Sequence, residues 1–359
     1  MNPIALRRLD GQDLIRPTLT DPVAVVRRQG AVQAQDYPAA KWAIGLRARG
    51  VKDADVEQLV NDGHILRTHV LRPTWHLVLP EDIRWMLMLT GPRVKARMAT
   101  YDRQLGLDDA VMRRTNAVLT RALRRGDHLT RAELSAVLEK SRVELGTQRL
   151  SHILMRAELD GIMCSGACRG NHSTHALLEL RVPQAKTFTR DEALVELTRR
   201  YFATRSPATA QDFAWWSGLT VGDAKKGVLM AELRQETIAS KVYWFAHSPL
   251  RRRSATPLVH LLPNYDEHFI GFRDRSAFGE RIGKINILAR DAPFSAHIIA
   301  VDGQIVGGWK RTLAKDTVVV KAWSVAPLSS AEQKALSVAA QRYGAFLEWP
   351  VRLTLLADG

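Results

Sequence analysis

Two glutamines separated by one alanine, Gln33-Ala34-Gln35, with Asp36 directly after them, are the residues in this sequence best suited to act together. A side-chain amide offers one carbonyl acceptor and two N–H donors, and has no useful proton affinity near neutral pH. Two such groups can orient a water and set carbonyl dipoles against a developing positive charge, without serving as a base. Asp36 is the nearest carboxylate and a candidate for active-site support, although its adjacent position turns it from the face the glutamines would share. On a regular helix residues two apart point about 200° apart. In an extended segment they face the same way. Gly30 permits a bend, and Pro38 biases Tyr37 away from helix. The stretch therefore reads as the broken end of a helix that aims two amides into one cleft. The same spacing also suits two surface glutamines at a helix end.

Other clusters carry charge or ligand types. Arg72-Pro73-Thr74-Trp75-His76 sets a cation, an aromatic ring and an imidazole beside one another. A strand there puts Thr74 and His76 on one face, and His76 also suits a satisfied core histidine. Arg251-Arg252-Arg253, in a Ser/Pro loop, and Lys310-Arg311 are candidates for phosphate contact; a solvated charge run is the plainer reading. Cys164-x3-Cys168-x3-His172-x2-His175 has zinc ligand types at spacing unlike a structural finger, and no metal is expected. No Gly-rich phosphate loop, Gly-x-Ser-x-Gly or His-Glu-x-x-His occurs, which argues against a nucleotide-driven enzyme, a serine hydrolase or a metalloprotease.

The elements that must position these groups recur. Val23 to Arg28, Ala39 to Arg47 and Asp53 to Leu59 read as three short helices, followed by strands His64 to Val70 and Thr74 to Leu79. Three helices and a β-hairpin make a winged helix. A helix begins at Glu81-Asp82. The unit returns with Asp109 to Arg124, a helix capped by Thr130 with Glu133 completing a capping box, Thr147 to Asp160, and strands Ile162 to Cys164 and His175 to Arg181. It returns again with Asp191 to Phe202, a helix capped by Thr209, a helix capped by Thr220, and a strand Thr237 to Ala246. Beyond Thr256 the chain is β-rich: Pro257 to Leu262, Ile282 to Leu288, Ala296 to Val301, Gln304 to Trp309 and Thr317 to Trp323, then a helix Ser330 to Leu347 and a strand Val351 to Leu355. Asp302-Gly303 marks a tight hairpin turn. The expected fold class is α+β. It comprises three tandem winged-helix modules (1–95, 96–185 and 186–255) around a concave basic channel, and a β-rich C-terminal part (256–359).

At 359 residues there is length for several buried cores. A formal net charge of +15 predisposes the protein to polyanions. No apolar run is long enough to span a membrane and no signal-peptide pattern opens the sequence. Two cysteines argue against a disulfide framework, so a cytoplasmic, nucleoid-associated location is expected, with no membrane partner.

Val32-Gln33-Ala34-Gln35-Asp36, Arg72-Pro73-Thr74-Trp75-His76, Leu262-Pro263-Asn264-Tyr265-Asp266-Glu267 with Gly271-Phe272-Arg273-Asp274-Arg275, and Val301-Asp302-Gly303 with Gly307-Gly308-Trp309 together resemble the tandem winged-helix DNA glycosylases of the AlkZ/YcaQ type. The order and spacing of these motifs, over nearly the whole chain, carry the resemblance. It implies excision of N7-alkylated purines from double-stranded DNA, with unhooking of interstrand crosslinks in the AlkZ-like branch, and no cofactor. The glutamine-x-glutamine signature of that branch falls on Gln33 and Gln35, where the YcaQ branch has an aspartate at the second position. Pro73 stands where glycine is the family habit. Alkylation at N7 makes the base cationic and the glycosidic bond labile, so a site built from amides is consistent with such lesions. On this reading the Asp302-Gly303 hairpin probes a groove near the lesion, and the enzyme is a monofunctional glycosylase acting as a monomer. The alternative is a non-catalytic winged-helix DNA-binding protein or transcriptional regulator, recognising an operator as a dimer.

Overall fold

Capping carboxylates followed by proline start the first helices. Asp21 accepts the N–H groups of Val23 and Ala24 and Pro22 occupies the first turn; Asp36 accepts from Ala39 with Pro38 in the same place. The computed structural model describes residues 2–184, 186–246, 256–283, 297–325 and 327–356. It opens with α1 (Pro3–Gly11), capped by Asn2, a helix that the sequence reading did not anticipate. Then come α2 (Pro22–Gln29), β1 (Val32–Gln33), α3 (Tyr37–Gly45), α4 (Asp53–Asp62), β2 (Leu66–His69), β3 (Trp75–Val78) and the long α5 (Pro80–Gln104). The next stretch is α6 (Asp109–Leu123), β4 (Leu129–Thr130), α7 (Arg131–Lys140), α8 (Thr147–Leu159), β5 (Met163–Ser165), β6 (Thr174–Leu177) and α9 (Leu178–Arg181). The third is α10 (Arg190–Arg205), α11 (Ala210–Ser217), α12 (Val221–Met230), β7 (Arg234–Ile238) and β8 (Lys241–Phe245). The C-terminal part holds β9 (Val259–Leu262), α13 (Glu267–Ile270), β10 (Ile298–Val301), β11 (Gln304–Ala314), β12 (Thr317–Ser324), α14 (Ser330–Leu347) and β13 (Val351–Leu355).

One order of elements occurs three times: helix, short strand, two helices, hairpin. The first sheet runs β1-β3-β2 and the second β4-β6-β5. In the third, Ala208 bridges to Trp244 of β8, which pairs with β7, so the short strand shrinks to one residue. Capping boxes at Thr130–Glu133, Thr209–Asp212 and Thr220–Asp223 start the second helix of the middle unit and the second and third helices of the last. The C-terminal strands form one sheet, β13-β12-β11-β10-β9, antiparallel except between β12 and β13.

Several boundaries differ from the sequence reading. Thr237 to Ala246 is not one strand: Ala239 and Ser240 both take positive φ and turn the chain, so two strands pair where one was expected. The strand expected over His175 to Arg181 stops at Leu177 and continues as α9. Of Ile282 to Leu288, the first two residues lie in a turn and residues 284–288 fall outside the described residues.

Two apolar clusters run through the described residues. Residues from α1 to α5, from α10 to α12 and from the C-terminal sheet share one apolar cluster, in which Trp42, Trp85, Tyr201, Phe202, Phe213, Trp216 and Trp309 are buried. A second cluster, built on Leu119, Leu123, Leu134, Leu138, Ile153 and Met163, belongs to the middle unit alone. The two parts meet at Glu158 of α8. Its carboxylate accepts the backbone N–H of His69 at 2.8 Å, lies 2.6 Å from the His69 ring Nδ1 and 3.6 Å from His175 Nε2, and is reached by Trp75 Nε1 at 3.5 Å. Burial alone would raise this carboxyl, but His69 and then His175 hold it below the ordinary carboxylate range.

Replacing Glu158 with Gln should therefore cost about 3 kcal/mol of stability, because the imidazoles lose a buried partner. The contribution of a depressed carboxyl is present above its unfolded pKa and lost as pH falls through its lower folded value. In urea unfolding, the gap between wild type and Glu158→Gln should be full at pH 7 and shrink below about pH 4. A pH-independent gap would contradict this.

Candidate active site

Gly30, with φ of 76°, ends α2 and frees the chain to run extended through β1 before Asp36 caps α3. Gln33 thus lies on a short strand and Gln35 on the bend that follows it. Gln33 pairs opposite His76, and the Ala34 N–H donates to the Trp75 carbonyl at 2.7 Å. Strand pairing ends there, and Thr74, like Gln35, lies in a bend. Gln33 is only 5% exposed, whereas Gln35 is exposed. The Gln33 side-chain oxygen accepts the Gln35 backbone N–H at 3.3 Å, which ties the first amide to the backbone of the second. That oxygen keeps a second lone pair.

The other edge of β1 is held by a buried ion pair. Glu267 Oε1 accepts the Gln33 N–H at 3.0 Å; Oε2 accepts Arg205 Nη2 at 2.7 Å and Trp216 Nε1 at 2.8 Å. Arg205 also donates to the carbonyls of Gln29 and Ala31 at 3.0 and 3.5 Å. Both charged side chains are almost wholly buried. Asp266, directly before Glu267, caps α13 and receives both terminal nitrogens of Arg47 at 2.8 and 2.9 Å, so the element delivering Glu267 is itself anchored. From the opposite side Arg67 donates Nε and Nη2 to the Ala34 carbonyl at 3.1 and 2.9 Å. Its guanidinium lies 4.4 Å from the Trp75 ring centre and 5.4 Å from that of Tyr37. The alanine between the two glutamines is therefore fixed at both its N–H and its C=O. Glu267 entered the sequence reading only as part of a motif. Arg205, Arg67 and Trp216 were missed, and no local pattern marks them.

The remaining expected site residues divide. His76 is fully buried, with Nδ1 2.9 Å from the Thr74 carbonyl. Burial and then the nearby Arg72 push its pKa well below the ordinary value, so it is neutral. Trp75 lies among Arg67, His69 and Glu158. Arg72 is in the loop beside the motif. Asp36 serves as the α3 cap. His297, absent from the sequence reading, lies within electrostatic reach of Asp36 and Arg311 and packs edge-on to Trp309; burial lowers its pKa, Asp36 opposes that, and Arg311 adds to it.

The Asp302-Gly303 turn is corrected. It is a hairpin turn, but it packs on α1: a Cβ at Gly303 would meet the Ala5 carbonyl at 3.2 Å, the Asp302 N–H donates to the Leu258 carbonyl at 2.8 Å, and the Leu258 N–H donates to the Asp302 side-chain carboxylate at 3.2 Å. It has no freedom to enter a groove. The turn that projects is that of the next hairpin, β11–β12, where residues 312–316 are exposed. Lys310 at its base is exposed and lies near the Trp323 ring, and Arg311 hydrogen-bonds the Tyr343 hydroxyl. Arg251, Arg252 and Arg253 lie outside the described residues. Cys164 is buried, its thiol pushed up to about 12 by that burial, while His172 is exposed and His175 faces Glu158; no three metal-binding side chains gather among the described residues.

A family model described as DNA glycosylase AlkZ-like matches residues 26–346. The chain belongs to the AlkZ-like DNA glycosylase family. Its members are hydrolases of the N-glycosyl bond. An interstrand DNA cross-link repair glycosylase of Streptomyces sahachiroi is 24% identical over 314 residues, covering 82% of each chain. The solved structure of the Streptomyces sahachiroi DNA glycosylase AlkZ superposes with a TM-score of 0.77 at 21% identity, covering 98% of both chains. The α+β fold described above is thus that of an AlkZ glycosylase.

Arg67→Lys should test the hold on Ala34. A lysine keeps the charge but not the two-pronged grip on one carbonyl or the planar stacking. In single-turnover excision assays on alkylated duplex DNA the chemical step should slow by about 10- to 100-fold with DNA affinity unchanged, since small misplacements carry costs of that order. A rate equal to wild type would show that Ala34 needs no such grip.

Proposed function

We propose that this protein is a monofunctional DNA glycosylase that hydrolyses the N-glycosidic bond of N7-alkylated purines, with Gln33 and Gln35 placing the attacking water. The observation that carries the reading is the pair of amides at the end of β1, linked by the Gln35 N–H to the Gln33 side-chain oxygen and clamped by Glu267 and Arg205 on one side and Arg67 on the other. An amide pair forgoes the ~10²- to 10⁴-fold that general-base catalysis brings. It therefore suits a substrate whose leaving group is already cationic, and its carbonyl dipoles favour the positive charge that develops on the sugar. His76 is neutral and Asp36 caps α3, which leaves the two amides as the polar side chains of the motif suited to the task. Family membership and the name of the Streptomyces relative support extending the substrates to interstrand crosslinks.

The threefold recurrence of helix, short strand, two helices and hairpin supports reading the units as winged helices lining a basic channel, in keeping with the +15 charge. In that arrangement the exposed tip of the β11–β12 hairpin, with Lys310 and Lys315, is the element placed to enter a groove. The substrate is double-stranded DNA and the acting species a monomer. Among the described residues no helix is long and apolar enough to cross a membrane.

Incubation with duplex DNA carrying N7-methylguanine should release free base. Gln33→Ala and Gln35→Ala should each lose release while retaining duplex binding. The wild-type rate should also stay flat between about pH 6 and pH 8, because no group of the proposed pair titrates there. Absence of base release by the wild type would refute the activity, and a sigmoidal pH profile would refute the amide assignment.

A further inference from the structure

We propose that Arg72 and Arg275, together with the exposed ring of Trp215, form a subsite that takes a DNA phosphodiester and stacks its nucleoside beside the Gln33-Ala34-Gln35 segment. Trp215, on α11, is 43% exposed although its indole N–H is pinned to the Ile270 carbonyl at 3.2 Å. Both guanidiniums lie 5.9 Å from its ring centre. Arg275 is held by its Nε on the Phe269 carbonyl at 3.1 Å and stacks 4.4 Å from the Phe269 ring. Arg72 is brought there by the end of α11. Gly218, at φ of 73°, lies so close to the Leu71 carbonyl that a Cβ would approach it to 2.1 Å, so only glycine lets the loop dock.

These two cations lack a counter-charge. Neither forms an ion pair among the described residues, and the Nε of Arg72 is buried without a partner. The carboxylates within electrostatic reach are committed elsewhere. Glu267 serves Arg205, Trp216 and the Gln33 N–H. Asp212 completes the Thr209 cap and accepts the N–H groups of Arg273 and Asp274. Burial and then Arg72 lower the Arg275 pKa to about 10; burial lowers that of Arg72, Glu267 opposes the shift, and Arg205 and Arg97 add to it. Two half-buried guanidiniums that repel each other gain most from a shared anion with several acceptor oxygens, which a phosphodiester supplies. A rigidly held, exposed indole beside them supplies a stacking face. Arg72 lies within electrostatic reach of Glu267, which accepts the Gln33 N–H, and of His76, which pairs opposite Gln33, so the anion would sit next to the glutamine segment.

The proposal rests on the glycosylase reading only for the identity of the polyanion as DNA. Its test is the salt dependence of binding to lesion-free duplex DNA, measured with base release from N7-methylguanine duplex on the same preparations. Arg275→Gln should weaken binding by roughly threefold to tenfold and lower the slope of log K against log salt by about one, while Arg275→Lys keeps the slope. Trp215→Ala should weaken binding at every salt concentration without changing the slope, and Trp215→Phe should restore it. Arg72→Gln provides a second removal of charge should Arg275→Gln lower the melting temperature. An unchanged slope in folded variants of both arginines overturns the subsite. If the wild type releases base and those slopes are unchanged, the subsite fails and the glycosylase reading stands. If the slopes change as expected and no base is released, the subsite stands and the glycosylase reading fails.

Discussion

The buried contact between Arg205 and Glu267 is what the rest of the site depends on. Taking two charges out of water is expensive, and the pair is tolerable because both carboxylate oxygens and both terminal guanidinium nitrogens find partners, leaving only the Arg205 Nε buried without one. Glu267 spends its spare capacity on Trp216 and on the Gln33 N–H; Arg205 spends its own on the carbonyls of Gln29 and Ala31. The chain leaving α2 is thereby pulled into an extended path in place of another helical turn. Without that outside partner, the edge of β1 turned away from β3 would leave backbone groups buried and unpaired.

That clamp is assembled from distant parts of the chain. Arg205 ends α10, Glu267 opens α13, and the glutamines follow α2. Trp42 of α3 and Trp309 of β11 donate to the carbonyls of Leu261 and Leu262, which fix the strand leading to Asp266 and Glu267. The C-terminal sheet thus has a direct structural part in holding a motif near residue 33. Arg67 completes the hold from within the first unit, braced on Tyr37 and Trp75. In the proposed mechanism the glutamines carry no charge, and the surroundings supply rigidity where another enzyme would supply a titrating group. This is preorganisation of dipoles, whose value grows as water is excluded.

Local signals were legible in the sequence because local chemistry makes them. Asp21-Pro22, Thr130 with Glu133, Thr209 and Thr220 start helices where expected, and the break of helix between Gly30 and Pro38 falls where those two residues set it. The Asp302-Gly303 turn was also legible as a turn, but which end of a hairpin projects depends on what packs against it, and α1 went unread. The hairpin at 239–240 was missed because Ala-Ser is a poor signal for positive φ. Arg205 and Glu267 were out of reach for a stronger reason: a pair 62 residues apart, meeting a third residue more than 170 away, leaves no periodicity to detect.

A few long-range polar contacts, those of Glu267 foremost, hold the segment that carries the two amides. The measurement that tests this most directly is the single-turnover excision rate of Glu267→Gln on N7-methylguanine duplex, taken well below its melting temperature. The amide cannot accept from Arg205, Trp216 and Gln33 at once. The account predicts a chemical step slowed by about 10²-fold with duplex affinity unchanged. A folded variant that excises at the wild-type rate would contradict it.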